Sequence, residues 1–228
     1  PDYDAVRVCA DKVETFHLFR RLGIPVPEIY SESNAEFPCV IKPRSGRGGE
    51  GFYVAHDERE LDLFTRKVKD PVLQEYLGGD EYTIDLLSDM EGKPLAIVPR
   101  IRLEIESGIS VRSMTVHDDL LIGYCKRIAE GLKLRGPSCI QCIKDERGEA
   151  RFTEINPRFG GGSIVSLRAD PSIIRNLIRI VKGEKAIPSR GFRDGLVMLR
   201  YYSEIFLNKD QVTGSLCSKP EDNGSCCL

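Results

Sequence analysis

Glu154-Ile-Asn156-Pro-Arg158-Phe-Gly-Gly-Gly-Ser163 is the stretch whose reading decides the fold. A carboxylate and a carboxamide two residues apart on a strand point to the same face, and both offer the oxygen that hard cations prefer. Arg158 stands two further along that face, where its planar fork can hold a phosphate through two parallel hydrogen bonds. Cation-type oxygens and an arginine on one face point to nucleotide phosphates, provided that the rest of the chain supplies a nucleotide site.

Working outward, residues 138–144 and 150–155 read as a hairpin around Asp145-Glu-Arg-Gly148. Gln141 lies on one strand, Glu154 and Asn156 on the other, so all three oxygens can converge on one side of a sheet. Magnesium bound to two or three protein oxygens and to phosphates fits that set. The plainer reading is a polar strand face with Asn156-Pro157 as a turn, but three such side chains, if buried, must each find partners.

Lys42 ends the apolar strand predicted at 37–42 and faces Pro43-Arg-Ser-Gly46-Arg-Gly48-Gly49-Glu-Gly51. The glycines let successive backbone N–H groups approach phosphate oxygens, and the lysine adds a point charge. A P-loop is excluded, because there the lysine follows the glycines and leads into a helix. Here the loop joins two strands as a flap; read alone, it is equally a flexible hairpin beside an exposed lysine. Gln74-Glu75-Tyr76-Leu77 leaves a buried strand at 72–75, and Gly78-Gly79-Asp80-Glu81 turns into a strand at 81–87. A crossover of this kind is a natural adenine slot, with Glu81 placed for ribose hydroxyls. Taken alone, Glu75 and Glu81 are ordinary strand-end charges.

The other predicted elements are helices at 11–22, 118–132 and 171–182, a helix opened by residues 57–60, and strands at 52–55, 95–100, 110–116 and 195–207. In the helix at 171–182, Ile174, Leu177, Ile178 and Val181 share one face. Strands and helices alternate without a regular βαβ count, which favours two α+β lobes over a doubly wound sheet. The division expected is 1–35 as an N-terminal helix and linker, 36–77 as a small lobe with the flap, 78–212 as a large lobe with the cation site, and 213–228 as a disordered tail.

The 228 residues suffice for one large domain or two small lobes. A net charge of -2, from 33 basic and 35 acidic residues, gives no reason to expect nucleic acid or a membrane surface. No apolar run spans a bilayer and no secretory signal is visible, so a cytoplasmic location is expected. Pro1 in place of methionine reads as an excised or processed segment. The eight cysteines form no disulfide framework. Cys139-Ile-Gln-Cys142 is formally C-x-x-C, but on a strand its two thiols point to opposite faces and are read as buried. His17, His56 and His117 are isolated, and no serine sits in a nucleophile elbow.

In order, the chain shows Asp11-Lys12 before a helix, Gly-Ile-Pro-Val-Pro27, Val-Ile-Lys42-Pro with its flap, Gln74-Glu75-Tyr76-Leu77, Glu81, Gly108-Ile109, Gln141 and Glu154-Ile-Asn156-Pro-Arg158. That succession resembles the ATP-grasp superfamily, and within it the branch of the carbamoyl phosphate synthase large subunit and biotin carboxylase. The resemblance covers roughly residues 8 to 183. It implies an α+β fold whose two lobes clamp ATP. By that likeness Lys12 and Lys42 touch phosphates, and the flap with Gly46, Gly48, Gly49 and Gly51 covers them. The Gln74-Glu75-Tyr76-Leu77 run holds adenine and Glu81 the ribose. Gln141, Glu154 and Asn156 bind Mg²⁺ or Mn²⁺, while Arg158, with Lys42, serves the transferring phosphoryl group.

The activity implied is an ATP- and Mg²⁺-dependent carboxylate ligase that forms C–N bonds. It would activate a carboxylate or bicarbonate as an acyl phosphate for an amine to attack, with a part of a split carbamoyl phosphate synthase-like enzyme as one form. The alternative is a non-autonomous ATP-binding module. A protein kinase-like enzyme is excluded by the absence of H-R-D and D-F-G sequences. The partners implied are small carboxylates and amines, and a chain supplying the N-terminal Rossmann-like domain that the family carries ahead of the clamp, here missing or truncated. The flap is bulkier than a pure glycine run, and its Arg44 and Arg47 are open to phosphate contact. Arg100-Ile-Arg102-Leu-Glu-Ile-Glu106 would neighbour the second substrate; its arginines either read a substrate carboxylate or belong to a salt-bridged surface.

Overall fold

A computed structural model describes residues 1–46, 49–106 and 108–208. Arg47 and Gly48 of the flap, and the predicted tail with Cys217, Cys226 and Cys227, lie outside the described residues.

The chain opens with helices α1 (Tyr3–Ala10) and α2 (Lys12–Arg21). Asp11 separates them and caps α2, its carboxylate accepting from the N–H groups of Val13 and Glu14. A four-stranded sheet follows, in the order β1 (Ile29–Tyr30), β4 (Pro71–Glu75), β2 (Cys39–Pro43), β3 (Tyr53–Ala55), with α3 (Glu58–Lys67) connecting β3 to β4. Strand alternation divides its faces. Cys39, Ile41, Ala55 and Leu73 pack with Leu61 and Val68 into one core cluster, while Val40, Lys42 and Gln74 turn the other way, towards a cavity.

The second sheet is built from β5 (Asp80–Ser88), β6 (Pro94–Glu106), β7 (Ile109–Thr115), β8 (Gly136–Lys144), β9 (Ala150–Asn156) and β10 (Val197–Leu199). Its six strands run in the order β10-β7-β6-β5-β8-β9, and every pairing is antiparallel. One face is apolar: Ile84, Leu86, Ile140, Cys142 and Ile155 pack against α1, α2 and α4 (Asp119–Leu132). On the other face, Leu87, Leu95 and Val98 are covered by Ile173 of α6 (Ser172–Val181) and its neighbours, with α5 (Ile164–Ala169) alongside. The remainder of that face carries Glu81, Thr83, Arg100, Gln141 and Glu154 and looks into the cavity.

Three expectations are corrected. In α6 the buried residues are Ile173 and Asn176, whereas Ile174, Ile178 and Val181 are exposed. Asn176 is drawn inward because its amide both donates to and accepts from the backbone of Ile187, so a hydrogen-bonded polar residue displaces the expected apolar face. The strand predicted at 95–100 continues to Glu106, where its alternating charges pair across to β7, as in Arg112–Glu104 at 2.8 Å. The last predicted strand shrinks to Val197–Leu199. Among the described residues, no helix is long and apolar enough to cross a membrane.

Candidate functional site

Between the two sheets lies a cavity of about 970 Å³, lined by both. The smaller sheet contributes Lys42 and Gln74, α2 contributes Lys12, and the flap contributes Gly46 and Gly49. The crossover adds Glu75, Tyr76 and Leu77; the larger sheet adds Glu81, Gln141, Glu154 and Asn156, with Arg158 just beyond it. Sequence positions more than a hundred residues apart are thus brought to one wall. Gly51 belongs to the flap but not to that wall.

The hairpin puts Gln141 directly opposite Glu154, and Cys139 opposite Asn156. Asn156 Nδ2 donates to Glu154 Oε1, and Arg158 Nη2 donates to Asn156 Oδ1 at 3.3 Å. β9 ends at Asn156, so Arg158 is not a strand residue as expected. The chain bends after Asn156, whose carbonyl accepts from the Arg158 N–H at 2.8 Å, and the guanidinium folds back towards the strand end. Among the described residues, no group of three or more His, Cys, Asp and Glu side chains is placed to hold a metal ion. Here one carboxylate is joined by two carboxamides, a hard-oxygen set of low charge.

Above Glu154 stand two lysines. Burial pushes Lys42 down to about 8, the charge of Lys12 adds to the depression, and Glu154 opposes it. Lys12 is lowered by burial and held up by Glu154 and Asp11; its ammonium donates to the Pro43 carbonyl at 2.9 Å. Two ammonium groups around a single carboxylate leave an excess of positive charge suited to an anion. Arg44, expected to be open to phosphate, is committed instead: its guanidinium bonds Asp11 at 2.8 Å and so ties the root of the flap to the start of α2. Within the flap, Gly49 and Gly51 adopt φ of 76° and 71°, a region that L-residues with side chains avoid.

At the crossover, the Glu75 carboxylate accepts from Arg151 and, at 3.1 Å, from the Glu28 N–H, which leaves the backbone beyond it to meet a ligand. Glu81 receives the guanidinium of Arg102. Arg102 also donates to Ser110 Oγ at 3.1 Å and to the Gly108 carbonyl at 2.8 Å.

For Arg100 the sequence left two readings open, a substrate carboxylate or a salt-bridged surface. Arg100 Nε donates to Asp85 Oδ2 at 2.8 Å, and both side chains are almost wholly buried, at 3% and 1% exposure. Asp85 also accepts from Ser163, from Ser166 at 2.6 Å and from the Cys139 thiol at 3.0 Å. Burial, with Asp85 beside it, pushes that thiol's pKa upward, in keeping with its role as a donor. Cys142 points the other way, into the core, so the C-x-x-C pair faces opposite sides as expected. Thr83, two residues from Glu81 and on its face, was findable from strand period alone.

A family model described as "ATP-grasp in the biosynthetic pathway with Ter operon" matches residues 67–200, more than half of the chain. The chain belongs to the ATP-grasp family. The carbamoyl phosphate synthase large chain of Clostridium beijerinckii is 30% identical over 182 residues, covering 68% of this chain and 17% of that protein. This ATP-grasp chain therefore spans about a sixth of that relative's length. Among solved structures, the biotin carboxylase of Campylobacter jejuni superposes with a TM-score of 0.72 at 18% identity, over 82% of this chain and 48% of that one. The biotin carboxylase domain of the Hydrogenobacter thermophilus 2-oxoglutarate carboxylase, solved with MgADP, ADP and bicarbonate, gives 0.75 at 16% identity over 85% and 50%. Both share the mixed helix-and-sheet ATP-grasp fold, and the family is one of ligases related to carbamoyl phosphate synthase and biotin carboxylase.

Proposed function

We propose that the chain is the nucleotide-binding and phosphoryl-transferring part of an ATP- and Mg²⁺-dependent carboxylate ligase that forms C–N bonds by way of an acyl phosphate. One observation carries the reading: Gln141, Glu154 and Asn156 from one sheet, with Arg158 bonded to Asn156, face Lys42 of the other sheet and Lys12 across a single cavity. The oxygen set fits a hard cation. With a single carboxylate it is too weakly charged to hold one alone, so the cation is expected to arrive with the nucleotide. Bound there, Mg²⁺ would neutralise charge on the transferring phosphoryl group.

The chain's own residues supply the rest. A half-turn of the Asn156 amide presents Oδ1 in place of the Nδ2 that now bonds Glu154. Lys12 and Lys42 hold phosphate oxygens, and the flap with Gly46, Gly49 and Gly51 covers them and excludes water. The backbone of Gln74 to Leu77 meets the adenine edge, and Glu81 meets the ribose from within its pair with Arg102. A substrate carboxylate oxygen attacks the γ-phosphorus, the bond to the ADP oxygen breaks, and ADP leaves. Arg158 and Lys42 stabilise the charge that develops. The alternative is a module that binds nucleotide but turns it over only with a partner.

Release of ADP, measured against a panel of amino acids, bicarbonate and small acids with and without amines, tests this. Stimulation by one acid that disappears in Arg158→Ala is the result expected of the ligase. Magnesium-dependent ATP binding with no release on any panel member would instead favour the module.

A pH dependence follows from Lys42. It is charged below about pH 8 and neutral above, and only the charged form attracts phosphate. ATP affinity is therefore expected to fall as pH rises through about 8, and Lys42→Arg should remove that inflection because arginine stays protonated. Titration of affinity between neutral and alkaline pH would show it; a flat profile for the parent chain would remove Lys42 from the phosphate site.

A further inference from the structure

At one end the two walls of the cavity are joined by the chain itself, through residues 76–79, and by the Glu75–Arg151 ion pair. Pro43 lies towards the opposite end of the smaller sheet. β2 pairs Cys39 with Glu75 but Pro43 with Pro71, a separation of four residues, or about 13 Å. There the walls meet again, through Asp11-Lys12 on one side and Pro43-Arg44 on the other. α2 belongs to the larger wall, because its Leu18 and Phe19 pack with Ile84, Ile140 and Ile155. Pro43 ends β2 of the smaller wall.

The joint is built from backbone and side chain together. The Lys12 N–H donates to the Arg44 carbonyl at 3.0 Å, and the Lys12 ammonium to the Pro43 carbonyl at 2.9 Å. Asp11 divides its carboxylate. Oδ1 caps α2 by accepting from Val13 and Glu14, while Oδ2 takes Nε and Nη2 of Arg44, both at 2.8 Å. The Arg44 N–H donates to the Asp70 carbonyl at 2.9 Å, so residue 44 is fixed through its backbone and its side chain alike.

We infer that Asp11 and Arg44 are positioning residues, whose ion pair sets how far the two lysines stand from Glu154 at the phosphate end of the cavity. The inference rests on the nucleotide reading of the site and adds to it two residues that touch no ligand. Lys12 follows Asp11 directly and Lys42 precedes Pro43, so each lysine is one peptide bond from the joint. The pair is partly exposed, at 38% and 21%, and such a pair contributes little to overall stability. Its effect lies in geometry, to which phosphate transfer is sensitive on the scale of about 1 Å.

Charge alone gives the opposite sign for Asp11. Asp11 is near enough to Lys12 to hold up its charged form, so removal of this anion would by charge alone strengthen ATP binding. Removal of a brace weakens it.

Affinities of the full chain for Mg-ATP and for adenosine test the inference. Arg44→Ala and Asp11→Ser are each expected to weaken Mg-ATP binding about three- to fivefold, the scale of a partly exposed ion pair. Adenosine, which meets only the crossover end, should bind as before. Serine retains the cap on α2, and Asp11→Asn serves where Asp11→Ser folds poorly. The double variant Asp11→Ser/Arg44→Ala should be no weaker than either single variant, because both break one contact, and Arg44→Lys should recover part of the loss. Mg-ATP binding that is unchanged or stronger in Asp11→Ser overturns the inference, and a loss confined to Arg44→Ala would then mark a direct phosphate contact. Equal losses for adenosine and Mg-ATP overturn it in favour of a general loosening. Failure of the parent chain to bind Mg-ATP at all overturns the nucleotide reading instead.

Discussion

Glu154→Ala is expected to abolish the magnesium dependence of ATP binding and to lower ADP formation on the order of 10²–10³-fold, the range seen when a preorganised electrostatic partner of the transition state is removed. Glu154 is the only carboxylate among the three oxygen donors, so its loss leaves two neutral amides, Gln141 and Asn156, to face the cation. The substitution acts a second time through the lysines. Glu154 now holds up the charged forms of both Lys42 and Lys12 against burial. Without it Lys42 should titrate below its present value of about 8, so the pH above which ATP affinity falls should move downward. Glu154→Gln keeps the side-chain shape and loses only the charge, and it should show the same downward move. The check is nucleotide affinity with and without Mg²⁺ across pH, together with turnover. Unchanged magnesium dependence in Glu154→Ala would place the cation elsewhere.

Asp85→Ala should be the most destabilising single substitution behind the site, by about 3–5 kcal/mol, the range for stranding one member of a buried ion pair. Asp85 collects the Arg100 guanidinium, the hydroxyls of Ser163 and Ser166 and the Cys139 thiol. It thereby joins β5, β6, β8 and α5 at a point with almost no access to water. Removing it leaves a buried guanidinium uncompensated and three further donors without that acceptor. Urea unfolding of the single variants and of Asp85→Ala/Arg100→Met separates the two costs. If the stranded charge dominates, the double variant is less destabilised than the sum of the singles; simple additivity would show that Asp85 acts through its other partners.

Local chemistry was the legible part of this chain. Lys42 before a glycine loop, the Glu154-Ile-Asn156 alternation and the hairpin that sets Gln141 across from Glu154 all depend on neighbours within a few residues, or on strand period. Contacts made over long separations left no such trace. Ser163 and Ser166 meet Asp85 across 78 and 81 residues, and nothing in either segment marks the pairing. Arg44 reaches Asp11 across 33 residues, so an arginine that the sequence left open to phosphate contact anchors the flap instead. The buried side of α6 was hidden for a related reason: Ile173 and Ile174 are equally apolar, and only the Asn176–Ile187 bonds determine which way the helix turns. Arg158 was found by spacing, but its reach back to Asn156 depends on a bend after the strand that spacing did not reveal. Arg100 and Arg102 left two readings open; the structure gives each a carboxylate partner while keeping both on the cavity wall.

The central claim is that two sheets hold ATP and Mg²⁺ so that a carboxylate becomes an acyl phosphate. The most direct measurement incubates the chain with Mg-ATP, a stimulating acid and hydroxylamine, and counts both products. The expected result is ADP and hydroxamate in equal amounts, both dependent on Mg²⁺ and both lost in Arg158→Ala. Hydroxamate accompanied by AMP and pyrophosphate would mean that an acyl adenylate forms instead, and would contradict the account.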